Sequence, residues 1–357
     1  MSADAAEFAW PDVLGPLSRR EDIGSGLIES AMATILSGDA TDAQIAAFAV
    51  LLRAKGETPV ELAALVRTML HFSEPIPIDP EGAPSPLVDT CGTGGDRSHT
   101  FNISTVAALV IAGAGVRVAK HGNRAASSAC GSADLLEELG VAIDLGPAGV
   151  VRCIEETNIA FCFAQRFHAA MRFAGAVRPQ LGIATTFNFL GPLANPARVT
   201  RQVVGVSDPA MAERVIGTLA ELGAKHAMVF FGHDGLDELT TTDLSTVREL
   251  RNGEIHRSVV DPLDLGISRA SALDLRGGTR ADNAKIARRV LDGEKGALRD
   301  VVVLNAAAAL VVADHVVDLA AGVEAAGNAL DSGAAAETLE RFVAVSQAER
   351  EREAEAG

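Results

Sequence analysis

Leu87-Val88-Asp89-Thr90-Cys91-Gly92-Thr93-Gly94-Gly95-Asp96, read onward to Gly140, decides the fold. Leu87-Val88 reads as a short buried strand that runs into a glycine turn, residues 104–112 as a helix and 116–118 as a second strand. Residues 133–139 form a further helix, stopped by Gly140. This alternation predicts an α/β layer with a mostly parallel central sheet. Later strands are expected at 159–163, 202–206 and 227–231. Arg251-Asn252-Gly253-Glu254 reads as a type I′ hairpin turn between 247–250 and 255–260.

Upstream, the first seventy residues read as helices. Thr41-Asp42-Ala43-Gln44 and Thr58-Pro59-Val60-Glu61 fit the capping box, the second with Pro at the first helical position. Ile45, Phe48 and Leu52, then Leu62, Leu65, Val66 and Met69, follow at helical spacing, with Gly56 between the two helices. Residues 75–86 turn to Pro, Gly and acids, which suits a connector. Residues 167–195 interrupt the α/β rhythm: Arg172, Arg178, Pro179, Gly182, Gly191, Pro192 and Asn195, with Pro196 just beyond, argue for short helices and a rigid loop that could rejoin the first helices. The expected plan is a small helical domain, 1–80 joined by about 167–195, and a large α/β domain, 81–166 with 196–357. The last hundred residues return to Ala-rich helices, and the charged tail after Ala348 is expected to fray.

The chain has 357 residues, 48% hydrophobic and 4% aromatic, so aliphatic side chains must fill its core. A formal net charge of -16 with only five lysines excludes a nucleic-acid backbone or an anionic membrane as a general partner. Any anion must be captured by a local device. Cys91, Cys130, Cys153 and Cys162 show no CxxC spacing, and no secretory segment is evident, which predicts reduced cysteines and a cytoplasmic protein. Asn102-Ile103-Ser104 matches a glycosylation acceptor without a secretory route to use it. The apolar run 301–312 is too short for a membrane span.

The local device is legible between residues 92 and 132. Glycines expose backbone N–H groups, a following helix N-terminus favours negative charge, and Lys120-His121-Gly122-Asn123-Arg124 adds a lone ammonium. These are the components of a phosphate site. The glycine turn is neither a Walker A motif nor GxGxxG, and taken alone it serves equally as a tight strand-to-helix connection. Asp96 could bind a ribose hydroxyl or a metal-bound water, or simply shape the turn. Ser104 and Thr105 could cap the helix there while directing it at a phosphate, and Ser104 could also ligate Mg²⁺. Ser127, Ser128 and Ser132 extend a segment short of acids in an acidic chain. Asp237-Glu238 follows the 227–231 strand, where open α/β sheets bind ligands. Adjacent acids are usually only solvated, but their hard oxygens also suit Mg²⁺. His121, His168 and His233 have no metal-cluster spacing, and a structural or contact role fits each.

The ordered set resembles the anthranilate phosphoribosyltransferases, enzymes of tryptophan biosynthesis that join anthranilate to phosphoribosyl pyrophosphate. It comprises Asp89 to Asp96, Thr100 with Asn102-Ile103-Ser104-Thr105, Lys120 to Arg124, Gly131-Ser132-Ala133-Asp134, Phe187-Asn188, Leu190 to Leu193, Asn195-Pro196 and Asp237-Glu238. The resemblance implies that Gly92, Gly95, Asp96, Thr100, Asn102, Ile103, Ser104, Thr105, the loop Lys120, His121, Gly122, Asn123, Arg124, Ala125, Ala126, Ser127, Ser128, and Ser132 hold the donor. It implies that Ser104, Asp237 and Glu238 hold two Mg²⁺ ions, and that Gly92, Asn123 and Arg178 contact anthranilate. Arg178 fits independently, because a planar guanidinium pairs bidentately with a carboxylate. No obligatory general base is expected. The resemblance further implies a hinge between the two domains and a homodimer through the helical one. Gln165 and Ala169 depart from prolines common around His168, and Ala184 stands where Arg is frequent. The rival expectations are a pyrimidine-nucleoside phosphorylase-like enzyme and a non-catalytic relative that binds nucleic acid.

Overall fold

The computed structural model describes residues 8–125 and 129–356. Ala126, Ser127 and Ser128 of the expected donor loop lie outside the described residues. Four helices open the chain: α1 Trp10–Ser18, α2 Ser25–Ser37, α3 Asp42–Lys55 and α4 Pro59–His71. Thr41 and Thr58 accept from the N3 amides of α3 and α4 while Gln44 and Glu61 reach back, so both expected capping boxes form.

The α/β layer then follows: β1 Leu87–Gly92, α5 Ile103–Gly113, β2 Arg117–Gly122, α6 Ser132–Leu139, α7 Pro147–Thr157 and β3 Ile159–Phe163. Short helices fill the next segment, α8 Ala164–Phe167, α9 Arg172–Gly175, α10 Arg178–Leu181 and α11 Phe187–Leu190. The layer resumes with β4 Arg201–Gly205, α12 Pro209–Glu221, β5 His226–Gly232, β6 Ser245–Arg251 and β7 Glu254–Val260. It closes with α13 Arg280–Leu291, α14 Ala297–Val312, α15 Leu319–Asp331 and α16 Ala334–Ala356.

The seven strands lie in the order β3-β2-β1-β4-β5-β6-β7. Pairings from β3 to β5 are parallel and the last two antiparallel. Asn252 and Gly253 both take positive φ, 54° and 82°, as the expected I′ hairpin requires. The chain leaves β1 toward β2 and later returns on its other side as β4. The crevice between β1 and β4 is therefore the topological switch point, where open sheets bind ligands beyond their strand C-termini.

Alternate residues of β4 and β5 feed two cores. Val203, Met228 and Phe230 join the apolar cluster of α5, α14 and α16, whereas Val204, Ala227 and Val229 join that of α2 to α4 and α12. The second cluster also takes Ala174, Val177, Phe187, Leu190, Leu193 and Ala194, so the short-helix segment does pack with the N-terminal helices.

Three sequence expectations need correction. β1 is longer than Leu87-Val88, because Asp89 is buried with its own partners and does not break the strand. The N-cap of α5 is Asn102, with no side-chain cap bond, so neither Ser104 nor Thr105 caps it. The tail does not fray after Ala348: α16 runs to Ala356, and the Glu353 carboxylate accepts from the Gly146 amide at 2.9 and 3.1 Å.

Candidate active site

Lys120 sits on β2 and is 2% exposed, in contrast to the partly open, loop-borne ammonium expected from the sequence. Its Nζ donates to the Thr90 carbonyl at 2.5 Å and to Ser104 Oγ at 3.3 Å, which places the charge under the N-terminus of α5. Its counter-charge is Asp89, fully buried on the neighbouring strand. Asp89 accepts from the His121 amide at 3.0 Å and from Asn195 Nδ2 at 2.9 Å. Burial raises its carboxyl to about 6, opposed by Lys120 and these donors. Burial in turn lowers the Lys120 ammonium, and Asp89 pulls it back up. The two charges form a ligand-independent foundation below the crevice.

Above it, Gly94 and Gly95 take φ of 69° and 86°, which only glycine adopts without strain, and turn the backbone over the strand ends. The Gly94 amide donates to Asp237 Oδ2 at 2.7 Å. Asp237 can approach because β1 and β4 both end in glycine. A Cβ on Gly205 would lie 1.6 Å from the Asp237 carbonyl oxygen, and one on Gly92 would lie 2.5 Å from Oδ2. The Ser104 amide at the start of α5 donates to Glu238 Oε1 at 3.2 Å.

Asp237 and Glu238 are half-buried and face each other and Asp96. Burial first, then mutual repulsion, lifts Asp237 well above the ordinary carboxylate range. Burial likewise lifts Glu238 to about 7, although Lys120 counteracts it. Of these acids Glu238 is met by the buried Lys120 ammonium, which Asp89 already engages. This is an acidic pair short of positive charge, made of hard oxygens beside a helix N-terminus, and it fits a Mg²⁺ site. Among the described residues no three His, Cys, Asp or Glu side chains complete a metal centre by themselves. Ser104 and ligand oxygens would have to contribute, which is how Mg²⁺ is commonly held with phosphates.

The remaining expected residues divide. Thr100 Oγ1 lies 3.4 Å from Ser98 Oγ, which donates to Asp96 at 2.5 Å, all along the rim. Ser132 Oγ donates to the Asn123 carbonyl, and the Ala125 amide to buried Asp134, which fixes the loop after Gly122. Other members face inward. Ile103 and Thr105 are buried in the core, and Asn102 bonds the Cys130 carbonyl and Asn283. Arg124 is engaged by Glu137 at 2.5 and 2.8 Å and by Asp134 at 3.3 Å, so its side chain anchors the loop. The His121 ring is buried against His168, centroids 5.2 Å apart, with Nδ1 2.9 Å from the Gly191 carbonyl. Burial and His168 push its pKa down to about 3, so it is neutral.

Toward the helical lobe, Arg178 opens α10 with a half-buried guanidinium that has no partner among the described residues. Asn123 is exposed, and its Oδ1 accepts from Arg124 N at 2.7 Å and from Gln165 Nε2 at 3.2 Å. One departure noted in the sequence thus touches an expected acceptor residue. Sequence reading missed Gly205 and the role of Asp89. The signal for Asp89 was available: an acid between Val88 and Thr90 in a buried strand requires a partner.

Comparison with known proteins agrees with this geometry. The model of the glycosyl transferase family a/b domain matches residues 84–336, and that of its helical bundle domain matches 11–73. Anthranilate phosphoribosyltransferase from Nocardioides sp. is 53% identical over 340 residues, 94% of this chain and 98% of that protein. The Streptomyces griseus enzyme of the same name is 51% identical over 348 residues, 96% of this chain and 97% of its own length. The crystal structure of anthranilate phosphoribosyltransferase from Thermus thermophilus superposes with a TM-score of 0.87 at 40% identity, covering 94% of this chain and 99% of that one. The Saccharomyces cerevisiae enzyme in complex with PRPP and Mg gives 0.86 at 25% identity, covering 96% and 99%.

Proposed function

The chain belongs to the anthranilate phosphoribosyltransferases of the glycosyl transferase family, and from that premise we propose how its own residues act. It transfers the 5-phosphoribosyl group of phosphoribosyl pyrophosphate to the amine of anthranilate, giving N-(5-phosphoribosyl)anthranilate and pyrophosphate in tryptophan biosynthesis. The observation that carries the site assignment is the Asp237–Glu238 pair, short of cations at the switch point. Ser104, Asp237 and Glu238 would hold two Mg²⁺ ions. Bound there, Mg²⁺ supplies Lewis-acid neutralisation of charge on the departing pyrophosphate.

The protein's part is positioning. Gly92, the Gly94-Gly95 amides, Asp96, Thr100 and the N-terminus of α5 surround the donor, with the Lys120 charge below. Asn123, Arg124 and Ser132 border the far side, where Asp134 accepts from the Ala125 and Gly131 amides. Arg178 pairs with the anthranilate carboxylate and Asn123 orients its amine. That amine is neutral and carries its own lone pair, so no strong base is required. Its nitrogen bonds to ribosyl C1 as the C1–O bond breaks, the bonding pair leaves with pyrophosphate, and the surplus amine proton passes to solvent.

The proposed division is a helical lobe, 1–80 with about 167–195, hinged to the α/β lobe, and homodimerisation through the helical lobe of a cytoplasmic enzyme. Among the described residues no helix is long and apolar enough to cross a membrane. The test is a fluorescence assay of anthranilate consumption with phosphoribosyl pyrophosphate and Mg²⁺, run beside phosphorolysis of a pyrimidine nucleoside. Consumption in the first arm alone is expected. Phosphorolysis without anthranilate consumption would overturn the assignment.

A further inference from the structure

On the acceptor side of the crevice, the Asn123 side chain has a partner in a neighbouring segment, Gln165. β2 and β3 run parallel with Gly122 beside Phe163, so the residues just past their C-terminal ends emerge as neighbours. Gln165 lies on α8, at the start of the stretch that carries Arg178 on α10.

The Asn123 backbone is already fixed. Its carbonyl accepts from the Ala133 amide at 3.2 Å and from Ser132 Oγ at 3.1 Å, and the next residue, Arg124, is anchored by Glu137 and Asp134. Only the side-chain torsions stay open, and two donors close them. The Arg124 amide meets Asn123 Oδ1 at 2.7 Å. A backbone N–H can only donate, so the carboxamide atom facing it is the oxygen, and a flipped amide would set two donors against each other. Gln165 Nε2 donates to the same oxygen at 3.2 Å. Both lone pairs of Oδ1 are then filled, and Nδ2 is the free end of the carboxamide, without a partner among the described residues.

A free Nδ2 can only donate. The attacking amine needs its lone pair for ribosyl C1, so a hydrogen bond donated to that nitrogen would oppose the reaction. The carboxylate oxygen beside it is the acceptor that such a donor suits, and holding that oxygen aims the ortho amine at C1.

We propose that Gln165 is a positioning residue for the acceptor: it holds the Asn123 carboxamide with its oxygen occupied, so that Nδ2 joins Arg178 on the anthranilate carboxylate. This rests on the reading of anthranilate as acceptor and of Asn123 as one of its contacts. The test is steady-state kinetics of the full chain with Gln165→Ala and with Gln165→Met, which keeps the length of the side chain and has no donor. Asn123 and Gln165 are both exposed, so the variants should fold and melt as the parent does. KM for anthranilate should rise about three- to tenfold, the loss of one hydrogen bond, with kcat and the KM for the donor unchanged. In an Asn123→Ala background Gln165→Ala should change nothing further, because Gln165 acts through Asn123. Aniline, which lacks the carboxylate, should not distinguish the parent from the Gln165 variants. Parental KM in both variants, the same rise with Asn123→Ala present, or an equal loss with aniline would each overturn this proposal alone. A parent that consumes no anthranilate would overturn the underlying reading, and this proposal with it.

Discussion

Glu57 and Glu61 in the helical lobe, and Asp237 and Glu238 at the sheet edge, are four acids withdrawn from solvent that meet different surroundings. Glu57 accepts from the Thr186 hydroxyl at 2.6 Å, Arg214 at 3.0 Å and Arg53 at 3.3 Å, tying α3, α12 and the short-helix segment together. Glu61 accepts from buried Lys55 at 2.8 Å and from the amides of Thr58 and Ile23. The sheet-edge acids receive one amide each, from Gly94 and Ser104, and Glu238 alone shares a lysine with Asp89. An acid met by its own cations holds the fold together. Acids crowded without them are held ready for a cation from outside.

The strongest way to break this comparison is Asp237→Asn with Glu238→Gln. Turnover should fall by about 10³-fold or more, because the charge on departing pyrophosphate goes unneutralised. Melting in chelator should be unchanged or higher, since a repulsion is removed. Full activity of the double variant in chelator would show that these acids hold no metal.

Lys120→Met comes next. Removing one partner of a buried pair should cost about 3–5 kcal/mol of stability, because Asp89 is left uncompensated. Denaturant titration measures it, and Asp89→Asn in the same chain should restore part of the loss. If stability held and only donor affinity fell, the ammonium would belong to the ligand alone. Glu57→Gln should cost less, about 2–3 kcal/mol, since Arg53 and Arg214 keep access to water. Its KM for the donor should not change. A change there with stability intact would erase the distinction between the two kinds of acid.

Arg178→Ala sharpens the comparison from the cation side, as an unpaired guanidinium awaiting an acid. KM for anthranilate should rise by the equivalent of about 1.5–3 kcal/mol, with donor affinity preserved. Aniline should be equally poor with parent and variant. Lost donor affinity would move Arg178 to the phosphate site. The smallest effect concerns pH. Glu238 titrates near 7 in the folded metal-free chain against an ordinary 4.5, so the folded state binds more protons between these values. Stability in chelator should therefore fall as pH rises from 4.5 to 7, with Asp89 adding the same sign up to about 6. Glu238→Gln should flatten that slope, and an unaltered slope would mean that Glu238 does not titrate there.

Much of this was legible from local chemistry. The caps at Thr41 and Thr58 and the Asn252-Gly253 turn act within a few residues, and each formed as expected. What stayed hidden depends on partners distant in sequence. Lys120 reads as an open loop lysine until β2 is known to lie against β1, which carries Asp89. Gly205 has no visible purpose until the 237 backbone is placed upon it. The tail reads as loose until Glu353 is seen to cap Gly146.

The order of the strands also bears on how the chain reaches this structure. Val88 pairs with Arg201, a sequence separation of 113 (201 − 88), whereas β5, β6 and β7 pair with near neighbours along the chain. Closing so long a loop has an entropic cost that grows with its length and must be met before the new contacts compensate it. The β1–β4 seam is therefore expected to close last, joining a β1–β3 half and a β4–β7 half that gain protection from hydrogen exchange earlier. The crevice that would hold the donor is that same seam, so a folding intermediate would lack the site even with most of its strands already paired.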